Sequence, residues 1–354
     1  MKLVSIALGS ALAAVALPSV VHAVELGTAT VTGEHWAYSG SGQGAAANNT
    51  RRTIGPFTGF AKRIHITGTL TTTHSAAWPK SLRVQPSSTG LASGQPWFQF
   101  STLSSVPNGT VINVDQWAYV PKNGWDLSKP INLEMFSIDS EQFVPGRDGT
   151  SNLTYTFHDS YAPGTVEFSG QLTAADPKMP RRWLQGHSSS PSGFGTVVDD
   201  PGRHPHHQVQ PFFVSATGRY DIAQASEYEA SLYLYRNAFD PNATYPNPNI
   251  LAARDGSPNV FRDTSFNSLP LNGDAVGGSS MMGTLTAGVQ YFLISTALND
   301  TVENEGDGGP FLGRYTNVIA PVGHSGEVTL GMIPEPSALG AVVVLLPLLR
   351  RRRN

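Results

Sequence analysis

The chain has 354 residues, of which 14% are charged, with 36 Gly, 26 Pro and no Cys. Without cysteine, thiolate catalysis, thiolate metal sites, iron–sulfur clusters and disulfide stapling are all excluded. The formal charge of −3 becomes −7 once the terminal Lys2, Glu335 and Arg350–Arg353 are set aside, which argues against nucleic acid, whose phosphates need a basic face.

At the N-terminus, Lys2, an apolar stretch from Leu3 to Leu17, and Val21-His22-Ala23 follow one another as the n-region, h-region and small-residue cleavage site of an export signal. The expected cut falls after Ala23. Abundant Gly, Pro, Ser and Thr in the remainder suit short strands joined by turns, and the length suits two domains with a core each.

From Val24 to about Asp176 the pattern has a period of two. Ile64, Ile66 and Leu70 fall on one face of a strand, with Arg63, His65, Thr67 and Thr69 on the other. Leu82 and Val84, then Ile131, Leu133 and Met135, then Leu153, Tyr155 and Phe157 alternate in the same way. Val166, Phe168 and Leu172 are expected to close this set. The absence of a helical period predicts an antiparallel sandwich. The run Ile64 to Gln85, with Thr73-His74-Ser75 before Leu82-Arg83-Val84, resembles the opening of the jelly-roll P domain found beside bacterial serine proteases. Trp78, Trp97, Trp117 and Trp125 lie in or beside loops and are the candidate glycan contacts, because the C–H faces of pyranose rings stack on aromatic faces. The alternative is that each closes a sandwich edge with its N–H bonded.

Pro177 to Pro211 carries six prolines and a serine run with little apolar periodicity, and is expected to be a linker. Within it, Asp199-Asp200 and His204-Pro205-His206-His207 are metal-ligand residue types. Pro205 holds the chain extended and adjacent histidines point apart, so solvent-exposed histidines are the reading taken.

Past the linker, Phe212-Phe213-Val214, Arg219 to Ala223, Leu232 to Tyr235 and Tyr291 to Ile294 read as strands. Leu232 and Leu234 oppose Tyr233 and Tyr235, so both faces of that strand are expected to be covered. In order, Thr217-Gly218-Arg219-Tyr220, Leu232 to Tyr235, Phe239-Asp240-Pro241, Asn249 to Ala252, Asp255-Gly256, Leu285 to Ile294 and Gly313-Arg314-Tyr315 resemble bacterial pre-peptidase C-terminal (PPC-like) β-sandwich domains. The resemblance spans Phe212 to Ile319 and implies a non-catalytic appendage of a secreted protein. Ala230-Ser231 stands where such domains commonly carry an acidic residue. Asp255, Asp263, Asp274, Asp300, Glu303, Glu305 and Asp307 occupy Gly/Asn-rich loops as solvated carboxylates, with structural Ca²⁺ in one loop the alternative. No cofactor is called for.

The chain ends on Pro334-Glu335-Pro336, an apolar run from Ala338 to Leu349, and Arg350, Arg351, Arg352 and Arg353. The prolines keep the approach extended, and the run is short of the roughly 20 residues of a comfortable membrane span. A basic cluster beside an apolar run stays cytoplasmic, which places the body outside. A buried core helix with a basic cap is the alternative. The order of the three parts resembles the PEP-CTERM sorting signal. That resemblance implies transient membrane contact through a sorting helix, cleavage near Pro334 by an exosortase-type membrane transpeptidase, and delivery to the surface or extracellular matrix of a bacterium.

The expected architecture is therefore all-β: signal peptide (1–23), antiparallel jelly-roll-like sandwich (24–176), linker (177–211), PPC-like sandwich (212–330) and sorting signal (333–354). No G-x-S-x-G elbow, H-E-x-x-H motif, P-loop or dinucleotide fingerprint occurs. Paired glycosidase carboxylates leave no sequence trace, so a glycan-processing hydrolase stays as a rival, as does a soluble carbohydrate-binding module. The leading expectation is a secreted, non-catalytic structural or adhesive protein of the exopolysaccharide matrix.

Overall fold

The computed structural model describes residues 23–36, 50–72, 82–84, 98–99, 109–121, 124–137, 149–184, 197–200, 202–228, 230–243, 248–255, 279–297 and 312–333. Among these the chain is all-β, without a helix, and its strand pairs run antiparallel. The export signal before Ala23, Trp78, Trp97 and the tail from Pro334 to Asn354 lie outside the described residues.

The first part of the chain runs through β1 (Glu25–Trp36), β2 (Arg51–Ile54), β3 (Phe60–Ala61), β4 (Arg63–Thr72), β5 (Leu82–Val84), β6 (Phe98–Gln99), β7 (Val111–Tyr119), β8 (Trp125–Asp126), β9 (Ile131–Ser137) and β10 (Gly149–His158). They form sheets of order β1-β10-β4-β7 and β2-β9-β5-β6, with β3 and β8 paired at the side. The inward residues of both larger sheets meet in one apolar core: Val31, Ile64, Ile66, Leu153, Tyr155 and Phe157 from one side, Ile54, Ile131 and Leu133 from the other. At about 1.5–3 kcal/mol for each fully buried large side chain, this core is what holds the sheets together. The alternation read from the sequence is the alternation between this core and the outside.

The second part comprises β11 (Val166–Leu172), β12 (Arg181–Leu184), β13 (Val197–Asp200), β14 (His207–Val214), β15 (Gly218–Ser226), β16 (Ala230–Arg236), β17 (Ile250–Asp255), β18 (Ser279–Leu285), β19 (Tyr291–Ala297), β20 (Gly313–Pro321) and β21 (Val328–Leu330). Their main sheets have orders β11-β20-β15-β18 and β17-β16-β19-β14-β21. A second core lies between them, built from Phe212, Tyr220, Ile222, Leu232, Leu234, Leu293 and Ile319 among others. Deeper along it, Asn317 Nδ2 donates to Ser295 Oγ (2.9 Å) and joins the two sheets. Tyr233 and Tyr235 point away from Leu232 and Leu234 into a separate cluster with Met179 and Ile294, so β16 is covered on both faces as its composition implied.

Three expectations are corrected. Val166–Leu172 does not close the first set: it pairs with β20 in register Val166↔Ile319 to Leu172↔Gly313. The stretch expected to be a linker carries the β12–β13 hairpin, and β14 starts within it at His207. There Arg182 is fully buried, its backbone N–H donating to Tyr233 Oη (3.0 Å) and its guanidinium to the carbonyls of Ala243 (2.6 Å) and Pro241 (3.3 Å). Nor are the histidines all solvated. His206 Nδ1 lies 2.6 Å from the Asp176 carbonyl, and buried His207 sets its ring edge-on to Phe239.

Burial pushes the His207 imidazole below its ordinary pKa of 6.5, outweighing the Pro177 carbonyl and the Asp176 carboxylate, which raise it. The folded state thus binds the proton less tightly than the unfolded state does. Stability from this site is fully present above about pH 6.5 and is lost as pH falls through that value towards the folded one. The urea midpoint is expected to drop between pH 7 and pH 5, and His207→Gln is expected to flatten that slope. An unchanged slope in the variant would assign the pH dependence elsewhere, with His158 the next candidate.

Candidate functional site: the outer face of the first sheet

The period-two alternation that sends Ile and Leu into the first core sends a second set of residues outward. Because β10, β4 and β7 are in continuous register, and β1 joins β10 with shifts only between Glu25 and Gly27 and between Thr32 and Glu34, that set lines up in rows across the sheet. One row is Thr30–Thr154–Thr67–Asp115, and the next is Thr32–Asn152–Thr69–Asn113. In the other direction come Thr28–Thr156–His65–Trp117 and then Glu25–His158–Arg63–Tyr119. Neighbouring strands stand about 4.8 Å apart, and successive rows about 6.8 Å apart along a strand.

Threonine is well suited to such a face. Its β-branch stiffens χ1 and favours a strand, and it presents one methyl with one hydroxyl that both donates and accepts. The hydroxyls engage one another across strands: Thr30 Oγ1 to Thr154 Oγ1 at 3.0 Å and Thr28 Oγ1 to Thr156 Oγ1 at 3.2 Å. Thr28 also donates to Glu25 Oε1 (2.6 Å), and the Gly33 N–H donates to Asn152 Oδ1 (2.9 Å). Each such pair contributes about 1 kcal/mol or less. The core, not these bonds, holds the sheet, which leaves the hydroxyl lattice available for a partner.

Toward Tyr119 the face changes character. The His65 ring stacks on Trp117 with centroids 4.1 Å apart and planes 5° from parallel, while its Nε2 lies 2.7 Å from Asp115 Oδ1. The Arg63 guanidinium carbon sits 4.5 Å from the Trp117 ring centre, a cation–π contact, and His158 tilts against the same ring. Burial, then the Arg63 charge, holds His158 below the ordinary imidazole range. Burial likewise lowers Arg63.

This end also meets the second part of the chain. Tyr119 packs with Ala223, Ala225, Val318 and Ala320, and Trp117 and Tyr161 lie against that cluster. The Tyr119 hydroxyl donates to buried Asp221 (3.2 Å), which also accepts from Arg219 Nε (3.3 Å). Desolvation raises the Asp221 carboxyl above its ordinary range, with Arg219 and Tyr119 opposing that rise. Arg63, Trp117 and Tyr119 thus lead from the open threonine lattice into a closed junction.

No family model matches this chain, and no curated protein does. Among solved structures it is similar at 12% identity to the STIV MCP, over 77% of this chain and 97% of that one, with a TM-score of 0.22. A chain of the Sulfolobus Turreted Icosahedral Virus gives 10% identity over 78% of this chain and 62% of that one (TM-score 0.23). The plant receptor-like kinase ANX1 also gives 10%, over 78% and 82% (TM-score 0.19). Likenesses at these TM-scores carry no argument about fold or activity.

Of the four tryptophans expected to contact glycan, Trp117 lies on this face and is engaged by His65 and Arg63. Trp125 is half-buried, packs against the first core and meets Phe157 edge-on with centroids 6.0 Å apart. Apart from Asp255 at the end of β17, the loop carboxylates considered for Ca²⁺ fall outside the described residues. Among the described residues no group of three or more His, Asp or Glu is placed to hold a metal ion. The residues missed in sequence are the threonines. Their signal was the repeated T-x-T at outward positions, Thr28-x-Thr30-x-Thr32, Thr67-x-Thr69 and Thr154-x-Thr156, of which alternation placed Thr67 and Thr69 opposite the apolar face and gave them no further role.

Proposed function

We propose that this chain is an exported, non-catalytic structural or adhesive component of a bacterial extracellular polysaccharide matrix. In this reading it is built as two antiparallel, jelly-roll-like β-sandwiches, the second of PPC-like type. The export signal and the Pro334–Arg353 sorting tail support the destination, with an exosortase-type transpeptidase as the processing partner.

The observation that carries the polysaccharide contact is the threonine lattice. An array of hydroxyls and methyls at the regular spacing of paired strands complements a polymer that is itself repetitive, polyhydroxylated and C–H-rich. Single hydroxyl contacts are weak, at about 0.5–1.5 kcal/mol each, so affinity comes from many repeats engaged at once. That is the energetics of a matrix component, which needs retention rather than turnover.

The test uses the protein recovered from outside the cells, presented to a polysaccharide panel with and without chelator. Thr30→Val, Thr67→Val and Thr154→Val together remove three adjacent hydroxyls while keeping volume and β-propensity. Retention on the bound polymer is expected to fall tenfold or more, with the urea midpoint little changed. Absence of binding across the whole panel by the unsubstituted protein would remove the adhesive role. Equal binding by the triple variant would move the contact off this face.

A further inference from the structure

The start of β1 sits where the proposed export cut leaves it, and one carboxylate waits there. The Val24 backbone nitrogen donates to Asp159 Oδ1 at 2.8 Å, and the Val24 carbonyl accepts from the Asp159 N–H at 3.1 Å. The Ser160 hydroxyl donates to the same Oδ1 at 2.9 Å. Asp159 directly follows β10, the strand on which β1 lies, so this reciprocal pair closes the end of the β1–β10 ladder. Val24 itself is 57% exposed.

We propose that removal of the export signal builds an ion pair at this point: the new Val24 ammonium binds the Asp159 carboxylate and fastens β1 to the sheet. This rests on the reading above that the chain is exported and cut after Ala23. In that cut, water adds across the Ala23–Val24 amide. The C–N bond breaks, the hydroxyl goes to the Ala23 carbonyl carbon, and the hydrogen goes to the Val24 nitrogen. At neutral pH the Ala23 carboxyl gives up its proton and the amine takes one.

A neutral amide with one N–H thereby becomes a cation with three, at a position already within charge-assisted hydrogen-bond distance of an anion. The same strand carries Thr28, Thr30 and Thr32, the outer column of the threonine lattice. Processing therefore does more than release the protein: it secures the edge of the face proposed to meet polysaccharide. The charged groups around the new amine, among the described residues, are Asp159 and Glu25, which favour its protonation, and Arg63, which opposes it. His158 lies at the same end of the sheet. The nearest group is the carboxylate, so the amine is expected to titrate above its ordinary value of about 8.

The experiment takes the protein recovered outside the cells. Its first residue is read by N-terminal sequencing, and the amine's titration is read from the pH dependence of its acylation, followed by mass spectrometry of the N-terminal peptide. Val24 is expected as the first residue. The acylation midpoint is expected about half a unit or more higher than in Asp159→Asn. A second variant, with one glycine inserted after Ala23, keeps Asp159 but moves the ammonium one residue outward. It is expected to lose the same shift, and it keeps the test readable if Asp159→Asn folds poorly. A first residue other than Val24 would overturn the processing step and the ion pair with it. Val24 in first place in the unsubstituted protein, with the acylation midpoint no higher there than in the two variants, would overturn the ion pair alone.

Discussion

Replacing Gly68 with alanine is expected to cost about 3–5 kcal/mol and to take most of the chain's margin of stability, because the site has neither the backbone conformation nor the room for a side chain. Gly68 lies in the middle of β4 at φ +135°, a region that L-residues rarely occupy. A Cβ built there would stand 2.0 Å from the Asn152 carbonyl oxygen and 3.0 Å from Leu153 Cα, both backbone atoms of the paired strand β10. No rotamer change relieves a backbone clash. The two central strands of the first sheet would have to part, and the register that aligns Thr67 with Thr154 would go with them. Gly33 supplies the comparison. It has φ +63° at the irregularity between Thr32 and Glu34, yet nothing lies within 4 Å of its Cβ position. Gly33→Ala should therefore cost only the left-handed strain, about 1–2 kcal/mol. Urea titrations followed by tryptophan fluorescence separate the two cases. Equal losses would show that conformation, and not the pressure of β10, sets the cost at Gly68.

How much of this was readable in the sequence depends on what covers each strand. In β4 and β10 one face meets the core and the other meets solvent, so Ile64, Ile66 and Leu70, and Leu153, Tyr155 and Phe157, announce themselves by period two. In β15 and β20 that contrast vanishes. Ile222 faces the second core while Ala223 and Ala225 face the junction with Tyr119, and both sets are buried. Alternation cannot assign such a strand to its partners, because nothing in Val166–Leu172 distinguishes pairing with β20 from pairing with a strand of the first sheet. Polar residues hid the fold of 177–211. Arg182 and His207 carry the composition of a loop, yet each is buried by contacts to residues over thirty positions away. The candidate site was half legible. Each T-x-T was visible, but its value lies in register, and Thr30 meets Thr154 across 124 positions of sequence.

Val318→Arg tests whether the two cores are separate bodies joined at a junction. Val318 and Ile319 are consecutive on β20, both completely buried, and they point in opposite directions. Ile319 belongs to the second core; Val318 packs with Ala223, Ala225 and Ala320 against Tyr119 of the first sheet. A guanidinium among these small side chains finds its nearest carboxylates already engaged, Asp221 by Tyr119 and Arg219 and Glu167 by Tyr161 and Lys62, and burying it poorly paired costs several kcal/mol. At Ile319 the chain has no alternative to that cost except opening the second core, so Ile319→Arg should unfold it. At Val318 a cheaper route exists. The junction can part, which caps the loss at what the Tyr119 cluster, the Tyr119–Asp221 bond and the Lys62–Glu167 pair contribute, while each core stays closed. The expected result for Val318→Arg is a larger radius of gyration in solution scattering and a red-shifted tryptophan emission as the Trp117 surroundings open. Slow amide exchange should persist at Tyr155 and Leu293, one in each core. Loss of slow exchange in both cores would mean that the junction is part of one cooperative body. The threonine face would then depend for its shape on the second part of the chain.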